Sequence, residues 1–85
     1  MAKVKMFTSA YCPFCSRARA LLDRRGVADI EEVFVDGQPE LRAQMTRLTG
    51  RTSVPQIFIG DTHVGGCDDL HALDGRGDLV PMLQA

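Results

Sequence analysis

Apolar residues recur along this chain with two periods, and the switches between them mark out its elements. Lys3 to Thr8 reads as a short strand in which Val4, Met6 and Phe7 are apolar. Ser9, Ala10 and Tyr11 form a loop. Phe14, Ala18, Leu21 and Leu22 then fall at i, i+4, i+7 and i+8, one face of a helix. Pro13 suits its first position, where the missing N–H had no partner anyway, and Gly26 is a natural stop. Ile30 to Val35 reads as a second strand, ending at Asp36-Gly37. Leu41, Met45 and Leu48 make a second helical stripe, closed by Gly50. Pro55 to Ile59 is a third apolar strand, and Gly60-Asp61-Thr62 turns it into a fourth around His63-Val64. Gly65-Gly66 ends that strand. Asp68 and Asp69 suit the first turn of a helix holding Leu70 and Leu73, and a last short helix spans Leu79 to Leu83.

The order is β-α-β-α-β-β-α with a terminal helix. A helix between the first two strands favours a parallel pair, and the tight turn between the last two favours an antiparallel one. The fold class that satisfies both is α/β: a four-stranded mixed sheet with helices on both faces. Its site belongs where the first strand feeds the first helix, at the carboxyl end of the sheet.

At 85 residues the chain makes one small domain, residues 1–85, with room for one core and one site. Ten basic and eleven acidic residues leave a net charge of −1, so neither nucleic acid nor a membrane surface is expected as a partner. No apolar run approaches the roughly 18 residues of a spanning helix, and the N-terminus lacks a signal peptide's apolar core. A cytoplasmic protein is expected. Three cysteines are too few for a secreted disulfide framework, and a cytosolic Cys-x-x-Cys points first to redox chemistry or metal.

That pair is Cys12-Pro13-Phe14-Cys15. With Cys12 at the helix N-cap, unpaired amides and the helix dipole both favour S⁻ over SH. Thiolates are the attacking species in disulfide exchange, and cysteines at helix starts ionise more readily than free ones. Cys12 is the expected nucleophile. Cys15, a turn deeper, is the expected resolving thiol, which attacks a Cys12 mixed disulfide and releases the product. A metal reading is weaker. His63, Cys67 and His71 recur every four residues, yet Gly65-Gly66 interrupts that run and a second Cys-x-x-Cys is missing.

Two further segments carry weaker signals. Thr52-Ser53-Val54-Pro55 places a proline at a strand start near the sheet's end, a setting for a cis bond. If Val54 turns its N–H and C=O outward, it offers an extended peptide a strand-like edge. Taken alone, an ordinary strand-starting proline is the plainer reading. Gly65-Gly66-Cys67-Asp68-Asp69 allows close backbone approach at a helix start, with Asp68 placed to meet an amine: a seat for a small zwitterion. Taken alone, a glycine turn before an acid-capped helix is plainer here too. Cys67 reads as a small packed residue, with a side disulfide or glutathionylation as the minority reading.

The three motifs in this order change the balance. The chain resembles a glutaredoxin of the bacterial dithiol type, on a thioredoxin-like fold, over almost all its length. The resemblance runs through Cys12-Pro13-Phe14-Cys15 with Arg17-Ala18, then Gly50-Arg51-Thr52-Ser53-Val54-Pro55-Gln56-Ile57-Phe58-Ile59, then Gly65-Gly66-Cys67-Asp68-Asp69-Leu70. It implies a monomeric disulfide oxidoreductase with no tightly bound cofactor and glutathione as co-substrate. The substrates implied are disulfide-bonded or glutathionylated proteins, with glutathione reductase and NADPH restoring the glutathione. Cys12 and Cys15 match the catalytic pair. Tyr11, Arg42, Ser53, Val54, Pro55, Gly66, Cys67 and Asp68 match glutathione contacts: Val54 pairing with the cysteinyl part, Cys67 and Asp68 seating the γ-glutamyl part, Arg42 near the glycyl carboxylate. Two departures stand out. Phe14 replaces the usual tyrosine, and Ser9-Ala10 stand where the family carries a lysine. Rival readings are a redoxin reduced by thioredoxin reductase and an iron–sulfur or metal-binding module.

Overall fold

The computed structural model describes residues 2–85. Its elements are β1 (Val4–Thr8), α1 (Pro13–Arg24), β2 (Ile30–Phe34), α2 (Pro39–Thr49), β3 (Gln56–Ile59), β4 (Thr62–Gly65), α3 (Cys67–Gly75) and α4 (Leu79–Gln84). Every expected element is present, the terminal helix included. The strands lie in the order β2-β1-β3-β4. β1 runs parallel to β2, with Val4 opposite Ile30, and antiparallel to β3, with Val4 opposite Ile59; β3 and β4 form the antiparallel hairpin. The mixed sheet is therefore the one the connections demand: the helical crossover yields the parallel pair and the short turn the antiparallel one.

Alternation along the strands divides the core in two. Val4 and Met6 of β1, with Ile57 and Ile59 of β3, face one way. They pack against Ala18, Leu21 and Leu22 of α1, Leu70 and Leu73 of α3, and Leu79 and Leu83 of α4. Phe7, one residue out of phase with Met6, faces the other way with Val35 and meets Met45 of α2. Three helices thus cover one face and α2 alone covers the other. β1, one of the two interior strands, contributes four of its five residues to the buried set. Among the described residues, no helix is long and apolar enough to cross a membrane.

Two positions on the expected apolar stripes lie outside the core. Leu48 is half exposed, because the patch beneath α2 is small and is filled by Phe7, Val35 and Met45. Phe14 is also half exposed. It stands in the first turn of α1, and the Arg17 guanidinium lies 5.9 Å from its ring centroid. That exposure brings Phe14 into the site instead of the core.

Candidate active site

The site is built at the junction the strand order makes possible. β1 delivers the chain at Thr8, a short loop follows, and Cys12 sits at the N-cap of α1 in extended conformation (φ −129°, ψ 104°). Pro13 occupies the first helical position. The Cys15 backbone N–H donates to Cys12 Sγ at 3.1 Å, so the sulfur does what a serine or aspartate oxygen does at other helix starts. On its other side the Cys12 thiol lies 3.8 Å from the Val54 carbonyl oxygen. Cys12 is partly accessible and Cys15 fully buried. Burial, reinforced by the hydrogen bond with Cys12, pushes the Cys15 thiol up from its ordinary range; the Thr8 hydroxyl and Ser9 backbone pull against this.

The loop before Cys12 is held from across the sheet. Asp36, just beyond β2, accepts from the Ser9 hydroxyl at 2.5 Å and from the Ala10 N–H at 2.8 Å. These bonds, Ser9 first, hold the Asp36 carboxyl below the usual aspartate range. Where the resembled family carries a lysine, this chain therefore uses a neutral hydroxyl to bind a carboxylate.

Opposite Cys12 runs the Ser53–Pro55 segment, and the Val54–Pro55 peptide is cis, as expected. Among the described residues, the Val54 N–H has no hydrogen-bond acceptor. Beyond it α3 begins. Asp69 at the third helical position reaches back and accepts from the Gly66 N–H at 2.9 Å and from Arg51 Nη1 at 2.8 Å. The Arg51 bond, then the Gly66 bond, hold the Asp69 carboxyl low. Asp68 is exposed and, among the described residues, free of side-chain hydrogen bonds. Cys67 is buried, with its sulfur 3.5 Å from His71 Nδ1; burial raises its thiol, and Arg17 draws it back down.

Together these surfaces enclose a shallow groove of about 270 Å³. Of the candidate binding residues, Ser53, Val54, Pro55, Gly66, Cys67 and Asp68 line it; Tyr11 and Arg42 do not. Tyr11 is 96% exposed on the approach to Cys12. Arg42 donates to the Thr52 carbonyl at 3.0 Å and so braces the segment before Ser53 from α2. Phe14, Arg51 and Asp69 also line the groove. Sequence reasoning gives Arg51 and Asp69 no site role, although they fall inside two of the motifs already singled out; Phe14 stands inside the cysteine motif itself.

Acid sensitivity follows from the carboxylates. Asp69 and Asp36 both ionise below about 3.9, the value of an unfolded aspartate. The unfolded chain therefore binds their protons first as pH falls. Their contribution is present above that value and is lost as pH drops through the folded values. Urea midpoints are expected to fall below about pH 4, and Asp69→Asn is expected to flatten that limb. An unaltered acid limb in the variant would contradict this.

A parallel–antiparallel sheet with a Cys-x-x-Cys at the start of its first helix and a cis-proline segment opposite defines a redox protein of the thioredoxin-like class. Comparison with known proteins narrows this. The family model described as Glutaredoxin matches residues 4–64. A glutaredoxin of Pseudomonas aeruginosa is 56% identical over 85 residues, spanning both chains completely. Glutaredoxin 3 of Escherichia coli is 51% identical over 84 residues, covering 99% of this chain and all of that one. Among solved structures, the buckwheat glutaredoxin–glutathione complex superposes with a TM-score of 0.89 at 35% identity, covering 98% of this chain and 77% of that one. The glutaredoxin of Brucella melitensis does so at 0.84 with 51% identity, covering 98% and 89%. The chain belongs to the glutaredoxin family, whose members are generally thiol–disulfide oxidoreductases.

Proposed function

We propose that this protein, as one domain spanning residues 1–85, is a glutathione-dependent thiol–disulfide oxidoreductase of the cytoplasm, acting as a monomer without a bound cofactor. The observation that carries the reading is the placement of Cys12 Sγ, which accepts a helix N–H on one side and faces the Val54 backbone on the other. The first contact fixes the sulfur at the helix start with an N–H aimed at it. The second puts the sulfur beside the strand-like Val54 edge, whose N–H has no partner among the described residues and on which an extended tripeptide would lie.

With a glutathionylated protein, the Cys12 thiolate attacks the glutathione sulfur. The mixed disulfide breaks, the protein leaves as a thiolate that takes a proton, and glutathione remains on Cys12. A second glutathione thiolate then attacks that sulfur, releasing oxidised glutathione and regenerating the Cys12 thiolate. With a protein disulfide, Cys12 forms a mixed disulfide with the substrate. Cys15 gives up its proton and attacks Cys12, freeing the reduced substrate and leaving a Cys12–Cys15 disulfide. Two glutathiones reduce that bond, and glutathione reductase with NADPH restores the pool. Raised by burial, Cys15 stays a thiol until it is needed, which suits a resolving group.

In the groove, the Val54 N–H and C=O would pair with the cysteinyl part of the tripeptide. Ser53 and Pro55 form the wall beside it. Gly66, Cys67 and Asp68 at the start of α3 would seat the γ-glutamyl part, with the free Asp68 carboxylate meeting its amine. Arg42, at the groove's margin, would lie near the glycyl carboxylate, and Tyr11 would contact the ligand from the approach to Cys12. The solved buckwheat glutaredoxin is a glutathione complex, which supports this ligand for a chain of the same fold.

The test is reduction of a small glutathione mixed disulfide, coupled to glutathione reductase and NADPH. NADPH consumption is expected to require both this protein and glutathione. Turnover that thioredoxin reductase sustains and glutathione does not would sink the proposal.

A further inference from the structure

A polar chain with a buried amide at its centre lies behind the groove, and the exchange chemistry does not use it. Gln56 opens β3 and is fully buried. Its Nε2 donates to the Ser53 carbonyl at 3.0 Å, and its Oε1 lies 2.8 Å from His63 Nε2 on β4. The His63 ring in turn packs at a tilt of 36° against Phe58, with centroids 5.1 Å apart. The amide orientation follows from these partners. Turned over, Gln56 would set its oxygen against the Ser53 oxygen, two acceptors with no proton between them. With Oε1 facing the imidazole, His63 Nε2 must carry the proton and donate. Burial, aided by nearby Arg51 and opposed by Asp69, keeps that ring neutral further into acid, so the single-proton tautomer is the relevant one.

The consequence lies one bond away. The Ser53 C=O and the Val54 N–H belong to the same peptide unit, and only the Val54–Pro55 bond in this region is cis. In a planar trans peptide the C=O and N–H point in opposite directions. Drawing the Ser53 oxygen inward onto Gln56 therefore turns the Val54 N–H outward, where it has no partner among the described residues.

We propose that Gln56, oriented by His63, is a positioning residue that aims the Val54 N–H into the groove for the backbone of the bound tripeptide. The inference rests on the groove's being the glutathione seat. It adds a residue that touches neither thiol nor ligand and yet sets the affinity for the ligand.

The test uses Gln56→Met, which keeps length and removes the donor, with His63→Leu and His63→Gln. Losing one aimed backbone donor is expected to raise KM for a glutathione mixed disulfide about tenfold in Gln56→Met. kcat and the rate of Cys12 alkylation by iodoacetamide should stay near native. His63→Leu should raise KM less, and His63→Gln, which restores a donor at the Nε2 position, should return it towards native. Amide exchange gives a second reading that needs no ligand: the Ser53 and Val54 amides should exchange with altered rates in Gln56→Met while Met6 in β1 stays protected. Unchanged KM and unchanged exchange at Val54 in a folded Gln56→Met would overturn the proposal. So would a fall in Cys12 alkylation matching the rise in KM, because that marks general disruption of the site. If native protein shows no glutathione turnover, the proposed function fails, and exchange at Val54 still decides whether Gln56 orients the peptide.

Discussion

Cys12→Ser is expected to abolish turnover on every disulfide substrate, whereas Cys15→Ser is expected to keep removing glutathione from small mixed disulfides and to fail on protein disulfides. A serine hydroxyl at the N-cap preserves the hydrogen bond from the Cys15 N–H, so the helix start survives the first substitution. What disappears is the sulfur anion, and no oxygen at neutral pH replaces it as an attacking and leaving group. Cys15 is fully buried and cannot meet a bulky substrate directly. In the proposed mechanism its work begins only when a mixed disulfide on Cys12 must be resolved from inside. Without it a protein substrate remains attached, and a glutathionylated substrate is still cleared by a second glutathione. Mass spectrometry of the Cys15→Ser variant after incubation with a disulfide-bonded protein should show the trapped conjugate. If Cys15→Ser is as inactive as Cys12→Ser on a small mixed disulfide, the division of roles is wrong.

The parts of this molecule that the sequence announces are those set by short-range chemistry. A proline after a cysteine marks the start of α1, glycines mark where helices stop, and a period of two marks the strands. The parts it conceals depend on which side chains tertiary placement brings together. Asp36 and Ser9 are 27 residues apart, and nothing local says that the carboxylate will tie down the loop before Cys12. Arg51 and Asp69 are 18 apart and meet only because β3 and β4 fold back as a hairpin. Arg42 shows the same limit from the other side. Its sequence position suggests the glycyl end of a ligand and does not announce that one guanidinium nitrogen also braces the Thr52 carbonyl. Phe14 fits a helical stripe by spacing, but a stripe says nothing about whether the helix's first turn still has sheet beneath it. The motifs located the groove; the hydrogen bonds that shape it required coordinates.

Gly65→Ala should be among the most damaging single-methyl additions to this chain, at about 2–4 kcal/mol of stability. Two independent costs meet there. Gly65 has φ of +118°, a conformation that side chains other than glycine's rarely adopt. A Cβ at this position would also overlap Asp69 Oδ2 and lie 2.8 Å from its Cγ. Asp69 could swing clear only by releasing the Gly66 N–H and Arg51, the bonds that cap α3 and fix the rim of the groove. The methyl is therefore expected to weaken glutathione binding as well as folding. For a small domain with a total stability of ~5–15 kcal/mol, the shift in urea midpoint should be plain. A double-mutant cycle separates the two costs. Asp69→Ala removes the clash and leaves the backbone strain, so it should cost less in the Gly65→Ala background than in the native one. If the two substitutions simply add, the contact carries none of the loss and backbone strain alone accounts for the effect. If Gly65→Ala is itself neutral, the tight turn between β4 and α3 is not what holds Asp69 in place.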